Sequence, residues 1–172
     1  MACYLTPGCG YHFRATGEPV GIALESIAIP LFSSTSSFIG VEGDFTRIVR
    51  EEFISNSRVR LEERDSAQAV LSGRISSITT DPLTYNVTQQ TIHGFSSTDE
   101  VTSSRMLKVT VEATLTDMRT GKVIWQDAHL AGEASFSVDT DPLRNRYNQR
   151  QALISVARDL ASQIYSRTME RF

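Results

Sequence analysis

The clearest pattern in the chain is an alternation: Leu107, Val109, Val111, Ala113 and Leu115 against Lys108, Thr110, Glu112, Thr114 and Thr116. A period of two with one apolar and one polar face predicts an antiparallel strand, buried on one side and wet on the other. Asp117-Met118-Arg119-Thr120-Gly121-Lys122 follows, with Gly121 suited to positive φ, so a hairpin turn is predicted. The returning strand is expected to carry Ile124, Ala128 and Leu130 on one side and Val123 and Trp125 on the other.

Upstream, Ile27, Ile29 and Leu31 alternate with Ser26, Ala28 and Pro30 and predict a first strand reaching back to Ile22. Ser33-Ser34-Thr35-Ser36-Ser37 then has the composition of a solvated loop. Phe45, Ile48, Val49 and Phe53 recur at three- and four-residue spacing and predict a helix from about Asp44 to Asn56. A second strand covers 69–75 and ends near Asp81-Pro82, while the polar stretch 86–104 predicts a long loop or a loosely formed hairpin extension. Last comes the strongest helix. Asp141 caps it and Pro142 takes its first position, where no donor is missed; Leu153, Val156, Ala157, Leu160 and Ile164 line its inner face. Two helices on one face of a four-stranded mixed sheet, an α+β fold of order β-α-β-β-β-α, pack these elements most economically.

Composition narrows the chemistry. The 172 residues suffice for one domain burying roughly 70% of its unfolded surface. Seventeen basic against twenty acidic side chains leave a net charge of −3, which argues against nucleic acid as a partner. The apolar runs fall far short of the ~20 residues a membrane-spanning helix needs. No metal site is predicted, because zinc needs about four ligands in paired spacing and His12, His93 and His129 are scattered.

No catalytic constellation appears, and no cofactor motif. Thr120-Gly121-Lys122 joins two strands instead of opening a helix, so it reads as a turn and not a phosphate loop. His129 with Asp127 is the nearest approach to a catalytic pair, and it lacks a nucleophile. Trp125 reads as a packing residue. Arg144, Arg146 and Arg150 form a small basic cluster beside Asp139 and Asp141 at the start of the last helix. Cations there oppose the helix macrodipole, which hints at an external anion, against the more ordinary reading of a solvated face.

Cys3 and Cys9 both precede the first strand. Cys9 is open to four readings: metal ligand, half of a disulfide with Cys3, nucleophile, or lipid attachment point. No basic segment with an apolar core precedes it, so either the chain is cytosolic or a signal has been cut away.

Taken in order, the segments resemble the LptE family of lipopolysaccharide-assembly lipoproteins. The carrying residues are Cys9-Gly10-Tyr11-His12-Phe13, Ile27 to Phe32, Phe45-Thr46 through Phe53, Asp65 to Gly73, Pro82 to Tyr85, and Leu115 to Trp125. The resemblance implies acylation of Cys9, although Thr6 stands where a lipobox usually has an aliphatic residue, and Cys3 is the other cysteine available. It implies an anchor and linker over 1–20 and a single domain over 21–172. The implied location is the periplasmic side of the outer membrane, and the implied partners are an LptD-like β-barrel, plugged by the domain, and lipopolysaccharide. No catalysis or cofactor is implied. The corresponding lipid A-contacting regions contain His93 and Arg105 in the first loop and Arg144 and Arg146 near the last helix. A polar domain surface, with Thr110, Thr114, Thr116 and the 86–104 stretch, suits a polar barrel lumen. The rival expectation is another envelope lipoprotein of the curli-secretion, TolB amino-terminal or penicillin-binding-protein-activator type, acting as a protein-interaction module.

Overall fold

The computed structural model describes residues 24–35, 38, 40–92 and 95–170; over 84–92 and 95–102 it describes the backbone. Eight elements follow in order: β1 (Ser26–Ala28), β2 (Ser33–Ser34), α1 (Val41–Asn56), β3 (Arg60–Leu61), β4 (Ala69–Ile92), β5 (Phe95–Asp117), β6 (Val123–Ser137) and α2 (Pro142–Met169). The class is α+β with a mixed sheet and two helices, as expected, but the sheet has six strands instead of four. Its order is β3-β1-β4-β5-β6, with β2 also on β4. Pairing among β1, β2, β3 and β4 is parallel, whereas β4-β5-β6 is an antiparallel meander.

The two additional strands, β2 and β3, are each two residues long. A segment that short has no period to read; its pairing depends on backbone groups alone. β2 lies in the serine-rich segment expected to be a loop, and Thr35 extends the contact by donating its backbone N–H to Ile75 O at 3.1 Å. The first strand is also shorter than its pattern. β1 stops at Ala28, ahead of Pro30, which has no ladder donor. β1 is buried on both faces. Ile27 points into the main core, while Ala28 joins Ala67 and Val70 in a small cluster on the other side.

Helix α1 starts three residues earlier than its apolar spacing suggests, because Gly40 enters it at φ 83°, a left-handed conformation natural to glycine. Val41, Phe45, Ile48, Val49 and Phe53 face inward. Thr46 ties the helix to the sheet: its Oγ1 accepts from Phe32 N at 2.9 Å and donates to Glu42 O at 2.7 Å. Phe32 meets Phe45 with ring centroids 5.2 Å apart, and Phe53 meets Tyr165 of α2 edge-on at 5.3 Å. Tyr165 Oη then donates to Asn56 O at 2.6 Å, closing the α1–α2 contact. Each large core side chain contributes roughly 1.5–3 kcal/mol by leaving water.

The long meander contains the expected turn. Asp117 N donates to Lys122 O at 2.9 Å, Gly121 N donates to Asp117 O at 2.8 Å, and Gly121 has φ 68°. The Asp117 carboxylate accepts from Arg119 N and from Thr120 Oγ1, at 2.8 and 2.9 Å. The backbone N–H of Arg119, then the Thr120 hydroxyl, hold its pKa below the usual carboxylate value. A depressed folded pKa stabilises above the unfolded value and is lost as pH falls through the folded one. Asp117→Asn is therefore expected to lose Tm less steeply than the parent between about pH 5 and 2. Parallel thermal melts over that range check it; equal slopes would refute the assignment.

β6 departs from the predicted alternation. Val111 pairs with Leu130 but Ala113 pairs with Asp127, so Ala128 and His129 together oppose Glu112 as a bulge. The extra residue flips the face, and Trp125 and Leu130 both point into the core. The expected grouping of Ile124, Ala128 and Leu130 against Trp125 is thereby corrected. The Asp127 carboxylate supports the bulge by accepting His129 N at 2.8 Å and pairing with Arg167 of α2.

Candidate functional site

Both helices lie on one face of the sheet, α2 against β6 and β5 and α1 against α2. The opposite face of the meander is polar. Arg74 and Glu112 form a bidentate pair there, with contacts of 2.7 and 2.8 Å, and Ser72 is opposite Thr114 in the register. Thr110, Thr114 and Thr116, the expected wet face, are half-buried among these neighbours.

The second feature is a ribbon. β4 and β5 stay paired from Pro82↔Arg105 out to Ile92↔Phe95, whereas β6 ends opposite Ser104. The strand expected to stop near Asp81-Pro82 thus runs on to Ile92, and the 86–104 stretch is a regular two-stranded extension with irregular register around Pro82–Tyr85. Of the two readings, long loop or hairpin extension, the second holds; cross-strand backbone bonds need no apolar alternation, so the polar side chains did not decide between them. From Leu83 to Ser104 the sequence contains no lysine or arginine.

The base of this ribbon is where the chain gathers cations. Arg105 pairs in register with Phe136 of β6, and Val138 N donates to Ser103 O at 3.0 Å. Four residues after β6, α2 begins. Asp141 caps it by accepting Leu143 N at 2.8 Å, as the sequence predicts. Asn145 clamps the connection, with Nδ2 donating to Asp139 O and Oδ1 accepting Asp139 N, both at 2.6 Å. Asn148 Nδ2 donates to Ser137 O at 3.0 Å. The first turns of α2 are thereby fixed at the same end of the sheet as Arg105.

Arg144 and Arg146 are exposed on those turns. Arg144 lies 3.5 Å from the Asp139 carboxylate, whose pKa is lowered by the Asp141 backbone N–H first and by Arg144 less strongly. Among the described residues Arg146 and Arg105 have no ion-pair partner. Arg150, the third member of the sequence cluster, is engaged with Asp44 of α1 at 3.0 Å. His93 and the cysteines Cys3 and Cys9 lie outside the described residues.

Sequence reading missed the apolar part of this end. Leu143 is 72% exposed, Tyr147 64% and Leu83 52%. Leu143 and Tyr147 continue the stripe of Ile154, Ala157, Ala161 and Ile164 at helical spacing, but two turns beyond the point where the core stops. The stripe was legible; that it outruns the sheet body was not.

The other candidate residues resolve differently. Asp127 accepts the backbone N–H of His129 and pairs with the Arg167 guanidinium. Among the described residues no group of His, Cys, Asp and Glu is arranged to hold a metal. Trp125 is buried, as expected of a packing residue, and lines a half-open cleft of ≈ 240 Å³ with Gln126, Arg167 and Glu170 at the end away from the ribbon. No helix among the described residues is long and apolar enough to cross a membrane.

Comparison with known proteins adds a family. The family described as LptE, lipopolysaccharide-assembly, matches residues 24–168. No curated protein matches. Among solved structures, the chain is similar to the hypothetical protein CT253 from Chlamydia trachomatis, at 13% identity and a TM-score of 0.54, over 84% of this chain and 95% of that one. It is also similar to a lipoprotein of Caulobacter crescentus, at 10% identity and a TM-score of 0.50, over 80% and 87%. The rare lipoprotein B of Shewanella oneidensis aligns at 15% identity and a TM-score of 0.48, over 83% and 92%. At such identities the first two likenesses are of fold.

Proposed function

Because the chain belongs to the LptE lipopolysaccharide-assembly family, we propose that it is an outer-membrane lipoprotein that plugs an LptD-like β-barrel and helps deliver lipopolysaccharide to the outer leaflet. In this reading Cys9 carries the acyl chains, residues 1–20 form the anchor and linker, and the domain from 21 onward faces the periplasm and the barrel lumen. Two or more acyl chains suffice to hold such a domain on a bilayer where one does so marginally. The protein turns nothing over. It works by fit and charge.

The observation that carries the reading is the convergence of Arg105, Arg144 and Arg146 with exposed Leu83, Leu143 and Tyr147 at one end of the domain. Lipopolysaccharide offers phosphates beside acyl chains, and cations beside an unpartnered apolar stripe suit both. His93, outside the described residues, belongs to the same proposal through the family resemblance alone. The polar open face of the sheet, with Arg74, Glu112, Ser72 and the threonines, is compatible with a polar lumen.

Coexpression with the LptD-type barrel of the same cell, followed by purification through the barrel, tests the reading. The expected result is a stoichiometric complex in which mass spectrometry finds Cys9 acylated at the mature N-terminus. A barrel purified without this chain, or an unacylated cytosolic chain, would overturn it.

A further inference from the structure

We infer that the outer edge of β5 over residues 95–102 receives an extended, cation-bearing segment of the barrel partner as an added strand; this rests on the plug reading above. β6 covers that edge only as far as Ser104, which pairs with Ser137, and just beyond it Val138 N donates to Ser103 O at 3.0 Å. Asn145 then holds both backbone groups of Asp139 where the chain turns into α2. Over 95–102, β5 pairs with β4 on one side and, among the described residues, with no strand on the other. Such an edge presents a row of backbone N–H and C=O groups, and an extended segment laid along it satisfies both kinds.

The two edges of the ribbon differ at its base. On β4 the register shifts twice between Pro82 and Tyr85, and Pro82 has no N–H to offer. On β5 the register runs unbroken from Thr102↔Tyr85 to Phe95↔Ile92, in the place that β6 vacates. The sequence over 95–102 contains neither proline nor lysine, the residues that commonly blunt an exposed edge. A closed barrel wall has no free strand edge of its own, so the added strand comes from a loop or a terminal segment of the partner chain.

Charge selects the occupant. This stretch of β5 contains Asp99 and Glu100, whose register partners on β4 are Thr88 and Val87, so the ribbon supplies no counter-charge across its own strands. Neighbouring positions of a strand alternate between its faces, so a segment laid beside β5 meets one acidic position on each face and balances them with adjacent lysines or arginines. A second copy of this chain fits poorly. Antiparallel self-pairing of 96–102 sets Asp99 against Asp99, the next register sets Asp99 against Glu100, and like charges directly opposite destabilise.

The test compares amide hydrogen exchange, resolved to single residues, in the full chain alone and in its complex with the LptD-type barrel of the same cell. Successive amides of a strand point to opposite edges, so those of 95–102 that exchange fast in the free chain are the ones facing outward. Expected is that this alternate set slows about tenfold in the complex, the worth of one added hydrogen bond, and that Asp99→Asn with Glu100→Gln restores most of the exchange. The set staying fast in an intact complex overturns the added strand and leaves the plug reading standing. Slowing that is equal with and without the two acids overturns the cationic occupant. Slowing already present in the free chain assigns the edge to a second copy where native mass spectrometry finds a dimer, and to this chain's own residues where it finds a monomer; either overturns the partner strand. A barrel purified without this chain overturns the plug reading and this inference with it.

Discussion

Gly73→Ala is expected to destabilise the domain by about 3 kcal/mol, the upper end of the usual cost of overpacking. A Cβ at position 73 would land on the Phe32 ring, whose Cζ lies 2.7 Å from the added atom's position and whose nearer carbons are closer still. The ring has nowhere to go. Phe32 is fully buried, packed on Phe45, and its backbone N–H is held by Thr46. A loss of that size removes a large share of the 5–15 kcal/mol that keeps a typical domain folded. Urea unfolding of the parent and variant measures it. The cause is checked with Phe32→Leu, which is destabilising alone but makes room for the methyl group. Residues in contact couple, so the double variant is expected to lose clearly less than the two single costs combined. Strict additivity would show that the ring is not the obstacle.

The second large effect concerns binding. Replacing Arg105, Arg144 and Arg146 by glutamine is expected to weaken lipopolysaccharide binding about 100-fold, taking roughly 1 kcal/mol per cation near an anionic surface and 1.4 kcal/mol per tenfold. Folding is expected to survive, because the side chains are exposed and the one ion pair they make among the described residues, Arg144–Asp139 at 3.5 Å, is of the surface type that contributes little. Fluorescence titration with purified lipopolysaccharide at two salt concentrations reads the affinity, and the variant should also show the flatter salt dependence. Arg150→Gln is the matched control. Its guanidinium already faces Asp44 at 3.0 Å, so its removal should change affinity little. Unchanged binding in the triple variant, or an equal loss in the Arg150 variant, would refute the cationic end as the site.

The parts of this fold that were legible are those where side chains do the specifying. α2 announces itself through Asp141-Pro142 and an apolar stripe, the 107–115 strand through strict alternation, and the turn through Asp117 and Gly121. The parts that were hidden are held by backbone. β2 and β3 are pairs of residues borrowing ladder bonds from longer neighbours, and the ribbon beyond Pro82, polar on both strands, read equally as a loop or as a hairpin extension. The bulge at Ala128–His129 hid that Trp125 shares a face with Leu130 for a different reason: one inserted residue changes the parity of the remaining strand without changing its composition. At the candidate site the individual arginines were visible, whereas their company was not. Only topology joins Arg105 to a helix that begins 37 positions later, at Pro142.

One of the short strands of the sheet bears on the order of events. β1 is three residues long, yet it lies between β3 and β4 and buries Ile27 completely. Its parallel partners come from residues 60–61 and 69–70, across the whole of α1. The β4-β5-β6 meander closes through near-neighbour contacts and so can assemble early, whereas pairings across long intervening sequence wait. β1, which cannot zip out from a local turn as the meander can, is therefore expected to be the keystone that pairs last. Whatever is fastened to the front of this chain is fastened beside the piece that completes it, so a pull on that end would be felt first by the core.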